Sequence, residues 1–379
     1  LNRMRYYADD LGRNVLLNNT TGGSNTAIGC ASMLNNTTGL SNTVIGTRAL
    51  YFNTTASNNT AIGFESLQAN TTGADNVALG SNSLQNNTTG CRNSAVGTCS
   101  LNANTTGNLN TAFGWRSLDS NTTGEANTSL SYQGLCKNTT GNNNTAVGAD
   151  SLFANTTASY NTAVGYASLC SNTTGNSNTA VGFQSVYSNT TGTLNTGIGY
   201  QSLFANTTGN SNTSLGYGAL RDNEVGSTNV AVGLFALEAN TASNNTAVGA
   251  SSLCANTTGN SNVALGTCAL QKNTTANNNT AVGFRSLCAN TTGNNNVAFG
   301  YGSLQNNTTG IQNSAFGLQT LLDNTSGNDN TAVGHQSLRC NTTGCQNTAL
   351  GQTAGSTVTT GSNLTLLGYD AEPSSATAT

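Results

Sequence analysis

A period of 17 residues constrains this chain more than any other feature of it. Residues 172–182 read NTTGNSNTAVG, residues 206–216 read NTTGNSNTSLG and residues 256–266 read NTTGNSNVALG. Counted on the Gly of each AVG-like triplet, the series runs from Gly29 to Gly368 in steps of 17. Ser131 once stands in place of that Gly, and one step of 16 separates Gly233 from Gly249. That makes 21 repeats from about Asn18 onward. A fixed short period marks a stacked architecture, in which one unit cannot bury its own apolar residues but neighbours stacked on it can.

The columns of the repeat define the fold class. The residue before the Gly is apolar in every repeat, from Ile28 to Leu367, and the one before that is mostly Ala. Four residues before the Gly stands Asn, in 20 of the 21 repeats. Three after the Gly the residue is small, nearly always Ser or Ala, and four after it is Leu, Met or Val through Leu338. No 3.6-residue periodicity runs through the repeat, so helices are excluded. The pattern predicts an all-β chain, a parallel β-solenoid (β-roll) of about 21 coils. Each coil is expected to hold two short strands, at TAVGY and SL.AN, joined by Asn, Gly and Thr corners. Gly and Asn tolerate the left-handed backbone that such corners need. Coils stacked at about 4.8 Å would give a rod of roughly 100 Å.

Three segments follow. Residues 1–17, LNRMRYYADDLGRNVLL, hold five of the 25 charges and are expected to cap the solenoid or dock onto a neighbour. Residues 18–372 are the repeat domain, and 373–379 a C-terminal tail. The last repeats decay without a polar cap, which favours end-to-end growth. The chain lacks an initiator Met and a signal-peptide-like apolar core at its start, as expected of a processed or partial chain.

Neighbouring positions of the AV pair point to opposite faces of a strand. Both are apolar, so one face fills the coil and the other leaves an apolar stripe. Soluble monomers rarely expose such a stripe, which points to a second copy of the chain as the partner. The alternative is that the Ala column merely lines a flat, mildly apolar surface. Charged residues make up 7 % of the chain, and the 11 Lys and Arg are scattered. No basic patch suits a nucleic acid, and no apolar run nears the roughly 20 residues that span a bilayer.

A second Asn column lies seven residues after the Gly, mostly as Asn-Thr-Thr. It comprises Asn19, Asn36, Asn53, Asn70, Asn87, Asn104, Asn121, Asn138, Asn155, Asn172, Asn189, Asn206, Asn256, Asn273, Asn290, Asn307, Asn324 and Asn341. Each of these 18 is a sequon for N-linked glycans. The other Asn column, before TAVG, is as constant without being a sequon, so this repeat keeps Asn for structural reasons too. Stacked Asn side chains can hydrogen-bond along the axis. Sugars on every rung at about 4.8 Å would also crowd one another. Yet the third sequon residue is Thr or Ser in all 18. Both readings, glycan acceptor and structural ladder, stay open on the sequence.

Ten cysteines occupy several columns. Cys136, Cys170, Cys254 and Cys288 share one column, but the members of each near pair lie two coils, about 9.6 Å, apart, too far for a disulfide. Cys91 with Cys99, and Cys340 with Cys345, are the candidate bridges, as an oxidising extracellular setting would allow. The competing reading is Cys as a small apolar filler. No CxxC spacing suggests zinc. His335 is the single His and sits at a variable position. Asp222 and Glu224 fall in a turn variant, RDNEVGST, and do not read as an acid/base pair. No catalytic residue, metal or cofactor is expected, and the chain is not expected to be an enzyme.

NTAIGCAS at 25–32 and NTAVGYAS at 161–168 resemble the head repeats of trimeric autotransporter adhesins. The full unit NTAVGYASLCSNTTGNS resembles repeats of bacterial and phage tail-fibre-like proteins. The resemblance covers residues 18 to about 368. It implies a parallel β-roll in which chains, three in the adhesins, pack side by side. This chain departs from those families in its longer repeat and shows neither a coiled-coil stalk nor a self-cleaving chaperone segment. The expected function is that of a structural component of an extracellular or cell-surface fibre, assembling side by side, end to end, or both. The alternatives are a receptor-binding adhesin or tail fibre, and an ice-binding solenoid suggested by its Thr columns.

Overall fold

The computed structural model describes residues 8–374. The chain divides into two compact units at Gly192 and Thr193. Each is a parallel β-solenoid with one coil per repeat. Unit 1 holds strands β1 (Ala8–Leu11), β2 (Asn25–Ile28) and nine more, each 17 residues after the last, to β11 (Thr179–Val181). Unit 2 holds eleven, from β12 (Thr196–Ile198) to β22 (Thr365–Leu367). Within each unit every strand pairs in parallel with the next in strict register, as Thr162, Ala163 and Val164 do with Thr179, Ala180 and Val181. At the single short step the register is kept, with Val230 opposite Thr246.

Only the TAV side of each coil is a strand. The SL.AN segment, expected as a second strand, is instead a run of turns in which left-handed residues alternate. Ala167 and Leu169 have φ of 51° and 50°, and Ser177 on the next corner has 58°. This side still bonds coil to coil, for example Leu50 N to Ser66 O at 2.9 Å and Phe52 N to Gln68 O at 3.0 Å. A left-handed Leu costs about 1–2 kcal/mol. Complete burial of its side chain contributes about 1.5–3 kcal/mol, and its N–H is bonded, so the conformation holds in nearly every coil.

The interior is narrow. The Leu column enters it from the turn side, and both Asn columns and the Ser or Ala after the Gly enter from the corners, all buried except at the ends, as at Asn19. Opposite them stands a small residue, Ala in most coils, with Val44 and Leu366 the larger exceptions. The middle residue of each strand is therefore buried and its two neighbours face outward. The small residue thus fills the coil and the large apolar residue points out, so the Ala column does not line the surface.

Part of the segment 1–17, expected to cap the solenoid or dock onto a neighbour, is itself a coil. From Ala8 the chain already forms a coil, with Ala8–Leu11 in register with Asn25–Ile28 and Val15 and Leu16 buried. Residues 1–7 of that segment, and 375–379 of the tail, lie outside the described residues.

One irregular coil shows how tightly the columns are coupled. The Gly column has φ near +130°, and a Cβ on Gly266 would lie 2.7 Å from the carbonyl of Gly283. Ser131, in that column, has no left-handed φ. The next coil is held less closely there, with Gly148 N to Leu130 O at 3.4 Å against 2.7 Å for Gly165 N to Val147 O. Ser131 Oγ lies 3.2 Å from Ser129 Oγ, where a side chain on Gly134 would overlap it. Gly134 has thus ceded the space its column normally fills. We expect Gly134→Ser alone to lower stability by about 1–3 kcal/mol through overpacking. The double variant Ser131→Gly, Gly134→Ser restores the ordinary repeat and should recover most of the loss. A denaturant double-mutant cycle checks this; additive effects would contradict it.

Candidate assembly face and asparagine ladders

Of the 18 sequon asparagines, Asn19 is half-buried and the other 17 are fully buried. Their geometry repeats. Asn155 Nδ2 donates to Asn138 Oδ1 of the preceding coil at 2.8 Å and to Ala158 O at 3.0 Å, and Asn155 Oδ1 accepts from Asn172 Nδ2 at 2.9 Å. The second column runs beside it. Asn161 N donates to Asn144 Oδ1 and its Nδ2 to Gly175 O, both at 3.0 Å. The carbonyl at the tight corner serves both columns: Ala158 O accepts from Asn144 Nδ2 at 2.8 Å as well. Carboxamide chains aligned in this way polarise one another.

The nitrogen that would carry an N-linked sugar is therefore the one that holds the ladder. Coils that lose the sequon keep the Asn. Asn223, followed by Glu224 and Val225, donates to Asn206 Oδ1 at 3.1 Å. Asn240, in the shortened corner, donates to Asn223 Oδ1 at 3.3 Å and accepts from Asn256 at 2.7 Å. The residue missing from that corner is the second Thr of NTT, which is exposed in the ordinary repeat. The first Thr is structural, as where Thr156 Oγ1 donates to Thr173 O at 3.1 Å. The ladder stops at Val358, which leaves Asn341 Oδ1 buried without a donor.

All ten cysteines are free thiols, including the candidate bridge residues Cys91, Cys99, Cys340 and Cys345. Cys91 and Cys345 belong to a hydrogen-bond column that sequence reasoning missed. Their sulfurs accept from the backbone N–H of Ala74 and Asn328, at 3.4 and 3.3 Å. Other coils place Ser57, Asn108, Asn142 or Ser159 there for the same purpose. Each sulfur also donates to the carbonyl two residues back, Thr89 and Thr343. In the shared column, burial pushes the Cys136, Cys170 and Cys288 thiols up. Cys254, with burial first and the Glu238 carboxylate second, is pushed up to about 11. Among the described residues, no group of three or more His, Cys, Asp or Glu is placed to hold a metal. His335 is exposed on the outer surface.

The outward strand face is the other candidate site. Over strands β2–β22 it carries Thr, Val or Ser in its first row and Ile, Val, Leu or Phe in its second, and no charge in either. Many second-row residues are well exposed, among them Ile45, Phe113 and Leu130 in unit 1 and Leu215, Phe299 and Phe316 in unit 2. Phe299 and Phe316 stack along the axis at 5.4 Å. After the Gly a further row adds Trp115 on Tyr132 and Phe284 on Tyr301. From β2 onward charges keep to the turns and corners, where Arg48 pairs with Glu65 at 2.9 Å and Arg221 with Glu238 at 2.7 Å.

These features define the class, a parallel β-solenoid with polar ladders inside and an apolar row outside. The chain matches no known family, no curated protein and no solved structure in the comparisons made.

Two outcomes are expected. Asn155→Ala leaves Asn138 Oδ1 buried without its donor, at about 1–3 kcal/mol, and takes one of the two bonds from Ala158 O and from Asn172 Nδ2, while Val358→Asn supplies Asn341 with a donor and adds about 1 kcal/mol; unfolding midpoints of both variants test the ladder. Cys254, neutral until the pH nears its raised value, should be alkylated slowest below pH 9 and speed up towards pH 11, with exposed Cys30 the first to react. Site-resolved mass spectrometry reads both.

Proposed function

We propose that this chain is a non-catalytic structural component of an extracellular or cell-surface fibre, built by self-association of its outward strand face. The observation that carries this reading is the continuous uncharged face. In each unit it is about 10 Å wide and about 50 Å long, roughly 500 Å². Each face alone is as large as the largest apolar patches of soluble monomers, about 300–600 Å², which often serve as contact surfaces. Two such faces meet as stacked sheets do, side chain against side chain, about 10 Å apart.

The periodicity argues for an open assembly over a closed dimer. Each coil presents nearly the same pair of residues, so a neighbour shifted by one coil, about 4.8 Å, makes nearly the same contacts. A face without a unique register permits staggered contacts, and staggered contacts do not close. This agrees with the side-by-side packing that the resemblance to adhesin heads and tail fibres implies. Sugars are not needed in this reading, because the Asn column already has an internal role. An ice-binding role is less well supported, since each Thr on the flat face stands beside a large apolar residue.

The test places charge on the face. Val147→Lys with Val164→Lys in unit 1, and Val248→Lys with Val333→Lys in unit 2, should leave the β-sheet circular dichroism unchanged. Sedimentation should then shift from a broad, concentration-dependent distribution to a single monomer boundary. Lysines at the exposed corner residues Thr157 and Thr258 should leave assembly intact. Assembly that survives the face variants would refute the proposal.

A further inference from the structure

Tyr200 and Tyr217 occupy the same outward row in successive coils of unit 2. Their rings lie parallel, 6° apart in plane, with centroids at 4.9 Å. Both are partly open to solvent, 42 % and 49 % exposed. Tyr217 is backed on its far side by Phe235, edge on at 5.3 Å and 88°. The Phe235 ring lies over Gly218, where a Cβ would come within 2.8 Å of it. In several other pairs a Phe or a Trp stands on one side. This pair joins two phenols.

We propose that Tyr200 and Tyr217 form an oxidative cross-linking site, coupled to dityrosine by a peroxidase-class one-electron oxidant that uses hydrogen peroxide. Each phenol gives up one electron and its hydroxyl proton to become a phenoxyl radical. The two radicals pair their electrons in a new bond between ring carbons ortho to oxygen. The hydrogen on each of those carbons then moves to the neighbouring oxygen and restores both phenols. The net loss is two protons and two electrons, which with one hydrogen peroxide give two waters. Contact between the rings matters because it turns the coupling into an intramolecular step, favoured over encounters between chains at low concentration. The product ties residues 17 apart in sequence and adjacent in space, so it staples one coil to the next and restricts local opening.

The proposal is independent of fibre assembly and is tested on dilute full-length chain. Peroxidase and hydrogen peroxide should produce dityrosine fluorescence with the protein still monomeric by denaturing gel. Chymotryptic mapping should find one dominant linked pair, the peptides containing Tyr200 and Tyr217, two hydrogen masses lighter than their sum. Tyr217→Phe keeps a stacked ring and removes one phenol. That link should vanish, with the circular dichroism and unfolding midpoint unchanged. Absence of dityrosine, links formed mainly between chains, or equal labelling at other tyrosines would overturn the assignment, as would fluorescence undiminished in Tyr217→Phe.

Discussion

A single coil of 17 residues cannot enclose a core, so the structure depends on what one coil offers the next. The offer is a carboxamide. Each Asn of the NTT column donates to the Asn behind it and to its own corner, and accepts from the Asn ahead. The second column does the same with a backbone N–H included. Buried amides of this kind are costly when unpaired and safe when every partner is present. That condition fixes the period, because a coil that presents its Asn out of place strands both neighbours. It also accounts for the short coil at Asn240, which drops an exposed Thr and keeps both ladders.

The ladders make the interior narrow, and the narrow interior shapes the surface. With Leu, two Asn and a small residue inside each coil, the strand in most coils buries only Ala, Val44 and Leu366 being the larger exceptions. Its larger apolar partner must stand outside. Repeated coil upon coil, that requirement becomes a row of exposed Ile, Val, Leu and Phe beside a row of Thr. From β2 onward the charges lie on the turns and corners. The face that we propose as the assembly surface is thus a by-product of how the coil packs.

Much of this was legible in the sequence. The period, the parallel stacking, the two Asn columns and the opposite orientation of Ala and Val follow from spacing alone. Spacing could not tell which of the pair faces inward, because that depends on the volume left by Leu on the opposite wall. It also predicted a second strand at SL.AN. Leu169 and its equivalents are left-handed, a conformation Leu avoids by itself and adopts here for its burial and its bonded N–H. The first coil was missed because Ala8 and Asp10 stand where Asn and Ala mark the others. Cys91 and Cys345 suggested bridges, but they replace Ser or Asn as hydrogen-bond acceptors, a role seen only once their column is aligned with Asn108 and Ser57.

The most direct test of the account is hydrogen exchange at the side-chain amides of a chain labelled with isotopic asparagine, followed by NMR or by neutron or mass methods. Two populations are predicted. The ladder carboxamides, such as those of Asn155 and Asn161, should exchange only with opening of the coils, as slowly as the strand backbone. Exposed ones, such as those of Asn210 and Asn260, should exchange within the dead time. Uniformly fast exchange, or NTT asparagines that carry sugar in the folded native protein, would contradict the ladder and with it the account of the fold.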